Sequence, residues 1–175
     1  MDRTDLENAL LAIRTGSLLS LEIVRATHRD FPNGEDPLYG QVWFTHAIEF
    51  GTPQVAIWMI AHGVPVNYRD KLGYTPLHLC IESSSSHKYK MLALLIGAGA
   101  KLECKGLNDW TPLHLAACRN DVQSVGLLLA AGADPDVRTE IDSRATPAEE
   151  ARTLGAIAAA ELIEGWQKLM SRIKP

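Results

Sequence analysis

Aromatic residues make up only 6% of this 175-residue chain. Ala and Leu are plentiful by comparison, a balance that favours helices over sheets. Cysteine is scarce too: Cys80, Cys104 and Cys118 cannot all pair and none belongs to a CxxC. That argues against a disulfide framework and for reduced thiols in a cytosol-like compartment. Long apolar runs are missing. The longest tract, around Met91 to Ala100, contains Gly97 and Gly99 and is too short to span a bilayer. The N-terminal MDRTDLENALLAIRTG is charged through its first seven residues and lacks an unbroken apolar core, so it is a poor signal peptide. There is no surplus of positive charge. The formal net charge is -4, which leaves no global field to draw the chain to nucleic acid or anionic lipid. Residues 1–50 hold eight Asp/Glu against four Lys/Arg, and the remainder holds thirteen of each, so the N-terminal end is mildly acidic. With 46% hydrophobic and 22% charged residues the chain has an ordinary globular composition. We expect a soluble, cytoplasmic protein with no membrane and no nucleic-acid partner.

What the chain does have is repetition. TPLH occurs in GYTPLHLC (Gly73 to Cys80) and again in DWTPLHLA (Asp109 to Ala116), with Thr111 lying 36 residues after Thr75. Downstream of each, YKMLALLIGAGAKLE matches VQSVGLLLAAGADPD: Leu94, Leu95 and Ile96 fall on Leu127, Leu128 and Leu129, and Gly99-Ala100 on Gly132-Ala133. The earlier copy is longer by an insertion in Ser83–Ser86, where a loop tolerates growth. Trp43–Asn67 places Ala47, Gly51, Val55 and Gly63 in the same register, Ala145–Ile163 restarts with Thr146-Pro147, and Leu6–Val24 is a fainter copy with Ala12 and Gly16 in phase.

These segments resemble ankyrin repeats, whose pattern is a TPLH turn, two antiparallel helices and a GAD-type hairpin. The resemblance is strong over residues 40–136 and weak at both ends. It implies an all-α ankyrin-repeat α-solenoid of helix-turn-helix units joined by β-hairpin loops. That would be a single domain over residues 1–175, with units at 4–30 (N-terminal cap), 40–70, 73–106, 109–140 and 144–172 (C-terminal cap).

The residues of one unit support the same reading. Thr111 suits a helix N-cap, and Pro112 the first helical position, where its missing N–H costs nothing. Leu113, Ala116 and Ala117 form one apolar stripe. Asn120 suits a left-handed reversal, Val122, Val125, Leu128 and Leu129 form the buried face of the second helix, and Gly132 ends it. Cys80 matches Ala116 and reads as a small buried residue. Trp58 reads as core and Trp166 as a capping contact. The outer faces of the terminal units should be polar, with Arg14, Glu22 and Arg25 at one end and Glu161, Gln167, Lys168 and Arg172 at the other. The second unit departs from the pattern: Trp43 and Phe44 replace Pro and Leu, and His46 falls one position past the motif histidine. The preceding FPNGEDPLYGQ (Phe31 to Gln41) is either a site or a tolerated insertion.

Chemistry is weakly represented. His78 and His114 occupy equivalent positions one helix-packing distance apart, roughly 8–10 Å, too far for both to bind one zinc ion. The resemblance implies that they hydrogen-bond backbone in the turn. His62 and His87 fall at helix ends. Ser83–Ser86 lacks a nucleophile elbow, Glu149 and Glu150 suit a helix N-terminus and do not face each other, and the glycine turns contain no GxxxxGK[ST]. No catalytic residue, metal site or cofactor is expected.

In the ankyrin family the hairpin tips and first helices form a concave binding face, onto which the residue before the TPLH threonine points. Tyr74 and Trp110 hold that position here, followed by Ala145, and the two aromatics are expected to be hot spots. Tyr68, Arg69, Lys71, Lys105, Asn108, Asp109, Arg138 and Arg144 surround them at the tips, and Glu49, Glu82 and Arg119 extend the face. The basic members alternate with Asp70, Glu103, Asp109, Glu140 and Asp142, a mixed pattern suited to a protein partner rather than to nucleic acid. The expected function is non-catalytic recognition of another protein by a monomer or in a 1:1 complex. The alternative is a dedicated inhibitor, such as an immunity protein that neutralises a toxin or enzyme.

Overall fold

A computed structural model of the chain describes residues 1–141 and 144–173. Among these residues there are ten α-helices: α1 (Arg3–Thr15), α2 (Leu18–Thr27), α3 (Trp43–Phe50), α4 (Pro53–Ala61), α5 (Pro76–Glu82), α6 (Lys88–Gly97), α7 (Pro112–Cys118), α8 (Val122–Ala130), α9 (Pro147–Thr153) and α10 (Ile157–Ile173). Consecutive helices pack as five pairs. The first members, α1, α3, α5, α7 and α9, stack in one row, and α4, α6, α8 and α10 stack in a second. Among the described residues, backbone pairing outside the helices is confined to turns and one isolated antiparallel bridge, Glu35 with Val42. The architecture is an α-solenoid.

Local chemistry sets where each helix starts. Pro53, Pro76, Pro112 and Pro147 are the first residues of α4, α5, α7 and α9, and the side chains of Thr52, Thr111 and Thr146 accept the amide N–H three residues on. Close stacking follows from one small side chain at the same place in every first helix. Ala12, Ala47, Cys80, Ala116 and Ala151 are all buried, which lets neighbouring units approach to helix-packing distance. The motif leucines Leu77 and Leu113 are fully buried, each contributing about 1.5–3 kcal/mol of burial. Asn120 has φ 54, the expected left-handed reversal, and its side-chain oxygen accepts the Ala159 N–H at 3.0 Å, tying α7–α8 to the next unit. Gly51, at the matching place, is instead extended (φ -86, ψ 179). A Cβ there would lie 2.7 Å from the Ala47 carbonyl oxygen, so close approach, not handedness, demands glycine. The Ser83–Ser86 stretch is a loop, closed locally by Ser83 and Ser85 hydroxyls accepting the Ser85 and His87 amides.

Two expectations are corrected. Val122 is exposed, and Ser124 takes its place on the buried face of α8 with its hydroxyl on the Asp121 carboxylate at 2.8 Å. Val122 is the first residue of that helix. The terminal faces are also less polar than expected. Glu22 stays partly exposed and accepts the Trp58 indole N–H at 2.8 Å, but Leu11, Leu19 and Ile23 at one end and Leu154, Leu169 and Ile173 at the other are exposed as well. Trp58 is buried as expected, and Trp166 packs half-buried against the core.

Candidate protein-binding face

Between helix pairs the chain projects a finger, and the same backbone bond closes each one. Asp70 N–H donates to the Tyr74 carbonyl, Gly106 N–H to Trp110, and Thr139 N–H to Ala145. Asp36 N–H donates to the Gln41 carbonyl in the same way. The Phe31–Gln41 segment is therefore the first finger of the series, with Gln41 in the position held by Tyr74, Trp110 and Ala145. It is neither a stray insertion nor a separate element.

Histidines lock the fingers to the helices. The Thr75 N–H donates to His78 Nδ1 (3.2 Å), so the ring proton sits on Nε2, which donates to the Trp110 carbonyl at 2.9 Å. His114 repeats this with Thr111 N–H (3.3 Å) and the Ala145 carbonyl (3.2 Å). Each ring thus bonds its own turn and the root of the next finger. Burial pushes both imidazoles below the ordinary histidine pKa. In the second unit Thr45 takes the motif position, and its hydroxyl meets the Tyr68 hydroxyl at 2.7 Å. His46, one residue on, is buried with Nε2 3.1 Å from Asp36 Oδ2. The Asp36 carboxylate also accepts the N–H groups of Leu38, Tyr39 and Gln41. Burial alone would raise this carboxyl, but the amides and His46 more than offset it and leave it below the usual aspartate value.

Two of the expected surface cations tie successive fingers together, and a third ties the last finger to α9. Arg69 Nη1 donates to the Lys105 carbonyl at 2.6 Å and Lys105 Nζ to the Arg138 carbonyl at 3.2 Å. Arg138 reaches the Arg144 carbonyl and both oxygens of Glu149. Lys105 is also 2.8 Å from Asp109 and 3.3 Å from Glu140. The Asp109 hydrogen bond holds the lysine above its ordinary pKa, and the same bond depresses Asp109. Arg119 pairs with Glu82 at 2.9 Å across the ends of α7 and α5. Lys71, Asn108 and Arg144 are exposed at the tips, with Asn108 and Arg144 left-handed. Asp142 lies outside the described residues. Tyr68, Tyr74 and Trp110 are half-buried. The Tyr74 ring stacks on His78 with centroids 5.1 Å apart, and a Cβ at Gly106 would sit 2.6 Å from it. Glu49, near the end of α3, has no basic partner within 4 Å among the described residues.

Among the described residues no group of three or more His, Cys, Asp or Glu is arranged to hold a metal ion, and no helix is long and apolar enough to cross a membrane. Residues 44–139 match the family model for ankyrin repeats in three copies. The chain belongs to the ankyrin-repeat family. It is 31% identical over 101 residues to the human BCL-6 corepressor-like protein 1, covering 57% of this chain and 6% of that protein. It is 34% identical over 107 residues to the mouse nuclear factor NF-kappa-B p105 subunit (61% and 10%), and 38% identical over 78 residues to the putative E3 ubiquitin-protein ligase XBAT34 of Arabidopsis thaliana (42% and 21%). The chain thus spans about a fifth or less of the length of these relatives. Ankyrin repeats generally mediate protein–protein interaction, and arrays of them are typically non-catalytic.

Sequence reasoning missed what stands at the finger tips of this ankyrin array. Leu38 and Tyr39, Leu72, Leu107 and Ile141 project from four successive fingers and are each between 44 and 62% exposed. The available signal was a large apolar residue in the middle of each otherwise polar turn, next to Gly40, Gly73 or Asn108.

Proposed function

We propose that this chain recognises one partner protein along its row of finger tips, without catalysis. The observation that carries the reading is that every finger, from the first to the fourth, offers one or two exposed large apolar side chains. Such a row is more than scattered surface hydrophobics require. Its roots are stapled by Arg69, Lys105 and Arg138, so the spacing of the tips is set before a partner arrives and little ordering cost opposes binding. The paired charges beside it, Glu82 with Arg119 and Lys105 with Asp109, form a mixed rim suited to register and steering. Tyr74 and Trp110 support the row from behind through their half-buried rings, and Lys71, Asn108 and Arg144 flank it.

Affinity purification from the native cell, followed by mass spectrometry, identifies the partner. The triple variant Leu72→Ser, Leu107→Ser, Ile141→Ser should then weaken binding by at least about tenfold, since each buried aliphatic side chain contributes on the order of 1 kcal/mol at an interface. Helical circular dichroism should be unchanged. Undiminished affinity refutes the tip row. If complex formation abolishes an enzymatic activity of the partner, the chain acts as its inhibitor; if the partner stays active, the chain acts as an adaptor.

A further inference from the structure

The first finger differs from the others in how firmly it is built and in what lies beside it. Its buried Asp36 carboxylate gathers three tip amides and His46, and the outcome is a fixed Tyr39 that stands largely in solvent. Clefts open on both sides of that ring. One, of about 320 Å³, lies between the first and second fingers against Tyr68 and Leu72, and another, of about 340 Å³, lies against Leu10, Arg14 and Phe50. Tyr39, Gln41 and Glu49 line both. Phe50 and Leu72 are exposed like Tyr39. The walls combine apolar side chains with charged ones, among them Arg14, whose guanidinium lies 5.8 Å from the Phe50 ring centroid, and the shared wall carries the Glu49 carboxylate.

Glu49 is the one carboxylate that lines both clefts. Arg69 is turned to the carbonyls of Gly73 and Lys105. Lys71 Nζ and Glu35 Oε2 flank the same point at Gly40, 3.9 and 3.7 Å from where a Cβ would be. The Asp70 carboxylate already accepts the Leu72 and Tyr74 amides. Glu49 has no cation within 4 Å among the described residues. Its field reaches Tyr68, whose hydroxyl is held above its ordinary pKa first by burial and then, in the same direction, by Asp70 and Glu49.

We propose that this pair of clefts takes an extended segment of a partner protein that presents a Lys or Arg flanked by apolar side chains. The cation meets the Glu49 carboxylate, and its aliphatic stem and neighbours lie against Tyr39, Phe50 and Leu72. A basic side chain satisfies the half-buried carboxylate, whereas an acidic one at the same place meets like charge. The proposal rests on the finger face being a protein-binding surface and names the chemistry of one part of it.

A phage-displayed library of random linear peptides, panned on the intact chain, tests it. Enriched peptides should carry Lys or Arg next to Leu, Ile or an aromatic residue. Their affinity should fall on the order of tenfold with Glu49→Gln, as expected for loss of a hydrogen bond between charged groups, and also with Tyr39→Ala. Panning on Glu49→Arg should enrich Asp or Glu at the same place. Leu107→Ser, two fingers away, should leave these peptides bound. A library that yields no binders, winners without a basic residue, or affinities indifferent to Glu49→Gln overturns the proposal. Should the native partner be lost with the triple tip variant but bind Glu49→Gln normally, the tip row stands and this cleft assignment fails.

Discussion

Asp36→Ala isolates the interaction that builds the first finger. The carboxylate is out of contact with solvent and receives the amides of Leu38 (3.0 Å), Tyr39 (2.6 Å) and Gln41 (3.0 Å) and the Nε2 of buried His46 (3.1 Å). Removing it leaves four donors without an acceptor. The three amides sit at an exposed tip, where water replaces the lost partner and the net cost is about 0.5 kcal/mol each. His46 is buried on α3, and its stranded donor costs about 1–3 kcal/mol. The expected destabilisation is therefore about 3 kcal/mol, measured as a shift in urea midpoint at constant slope. Amide hydrogen exchange at residues 38, 39 and 41 should rise to the rate of an open loop. Asp36→Asn should cost less, because one oxygen still serves Leu38 and Tyr39, but its NH₂ then opposes the Gln41 amide. The sign with pH is fixed by the depressed folded-state pKa. The stabilisation is present above the unfolded aspartate value near about 4 and is lost as pH falls through the lower folded value. If Asp36→Ala unfolds within about 0.5 kcal/mol of the parent and the three amides stay protected, the finger is held by something else.

His78 and His114 make stability fall in a different window. Their folded pKa values are depressed, so the unfolded chain protonates first. Their contribution is complete above about pH 6.5 and declines below it, by at most about 1.4 kcal/mol per pH unit for each ring. Urea midpoints at pH 7.5 and 5.5 should show this slope, and the double variant His78→Asn, His114→Asn should show less of it; equal slopes would contradict the assignment. Lys105→Met should cost less than about 1 kcal/mol, since its ion pairs are partly solvated, yet exchange at the third and fourth fingers should quicken because the tie to the Arg138 carbonyl is gone. A loss above 2 kcal/mol would show that the lysine does more than tie two fingers.

The repeat, the helix pairs and the role of the motif histidines could be read from letters because each rests on local geometry. Thr-Pro starts a helix wherever it stands, and Asn120 tolerates a left-handed turn regardless of neighbours. Phe31–Gln41 reads in sequence only as a site or an insertion, not as a finger, because its backbone bond is made without the motif: Gln41-Val42-Trp43-Phe44-Thr45 stands where a TPLH segment would, and Thr45 with Tyr68 substitutes for a histidine-to-carbonyl bond. The Asp36–His46 pair joins residues ten apart whose types alone suggest only a polar loop and an off-register histidine. Arg69 and Lys105 read as free surface charges because each reaches a main-chain carbonyl one finger away, and a carbonyl leaves no trace in sequence. The exposure of Val122 and the Glu22 bond to Trp58 likewise depend on how the rows are rotated, which helical periodicity fixes only to within a side chain.

That division between roots and tips governs how binding data on this array must be interpreted. Tyr74 and Trp110 were the sequence-level anchors, but Tyr74 is wedged between His78 and Gly106, and Trp110 supplies the carbonyl that His78 holds. Truncating Tyr74 removes a ring stacked on a buried histidine, so a partner would be lost through a displaced finger as readily as through a missing contact. Leu72, Leu107 and Ile141 lie at the exposed tips, 44 to 59% exposed, so replacing them should change stability by no more than about 1 kcal/mol. A binding defect at the tips therefore reports recognition directly. The same defect at Tyr74 reports recognition only if the urea midpoint and the exchange rates of the third finger are unchanged.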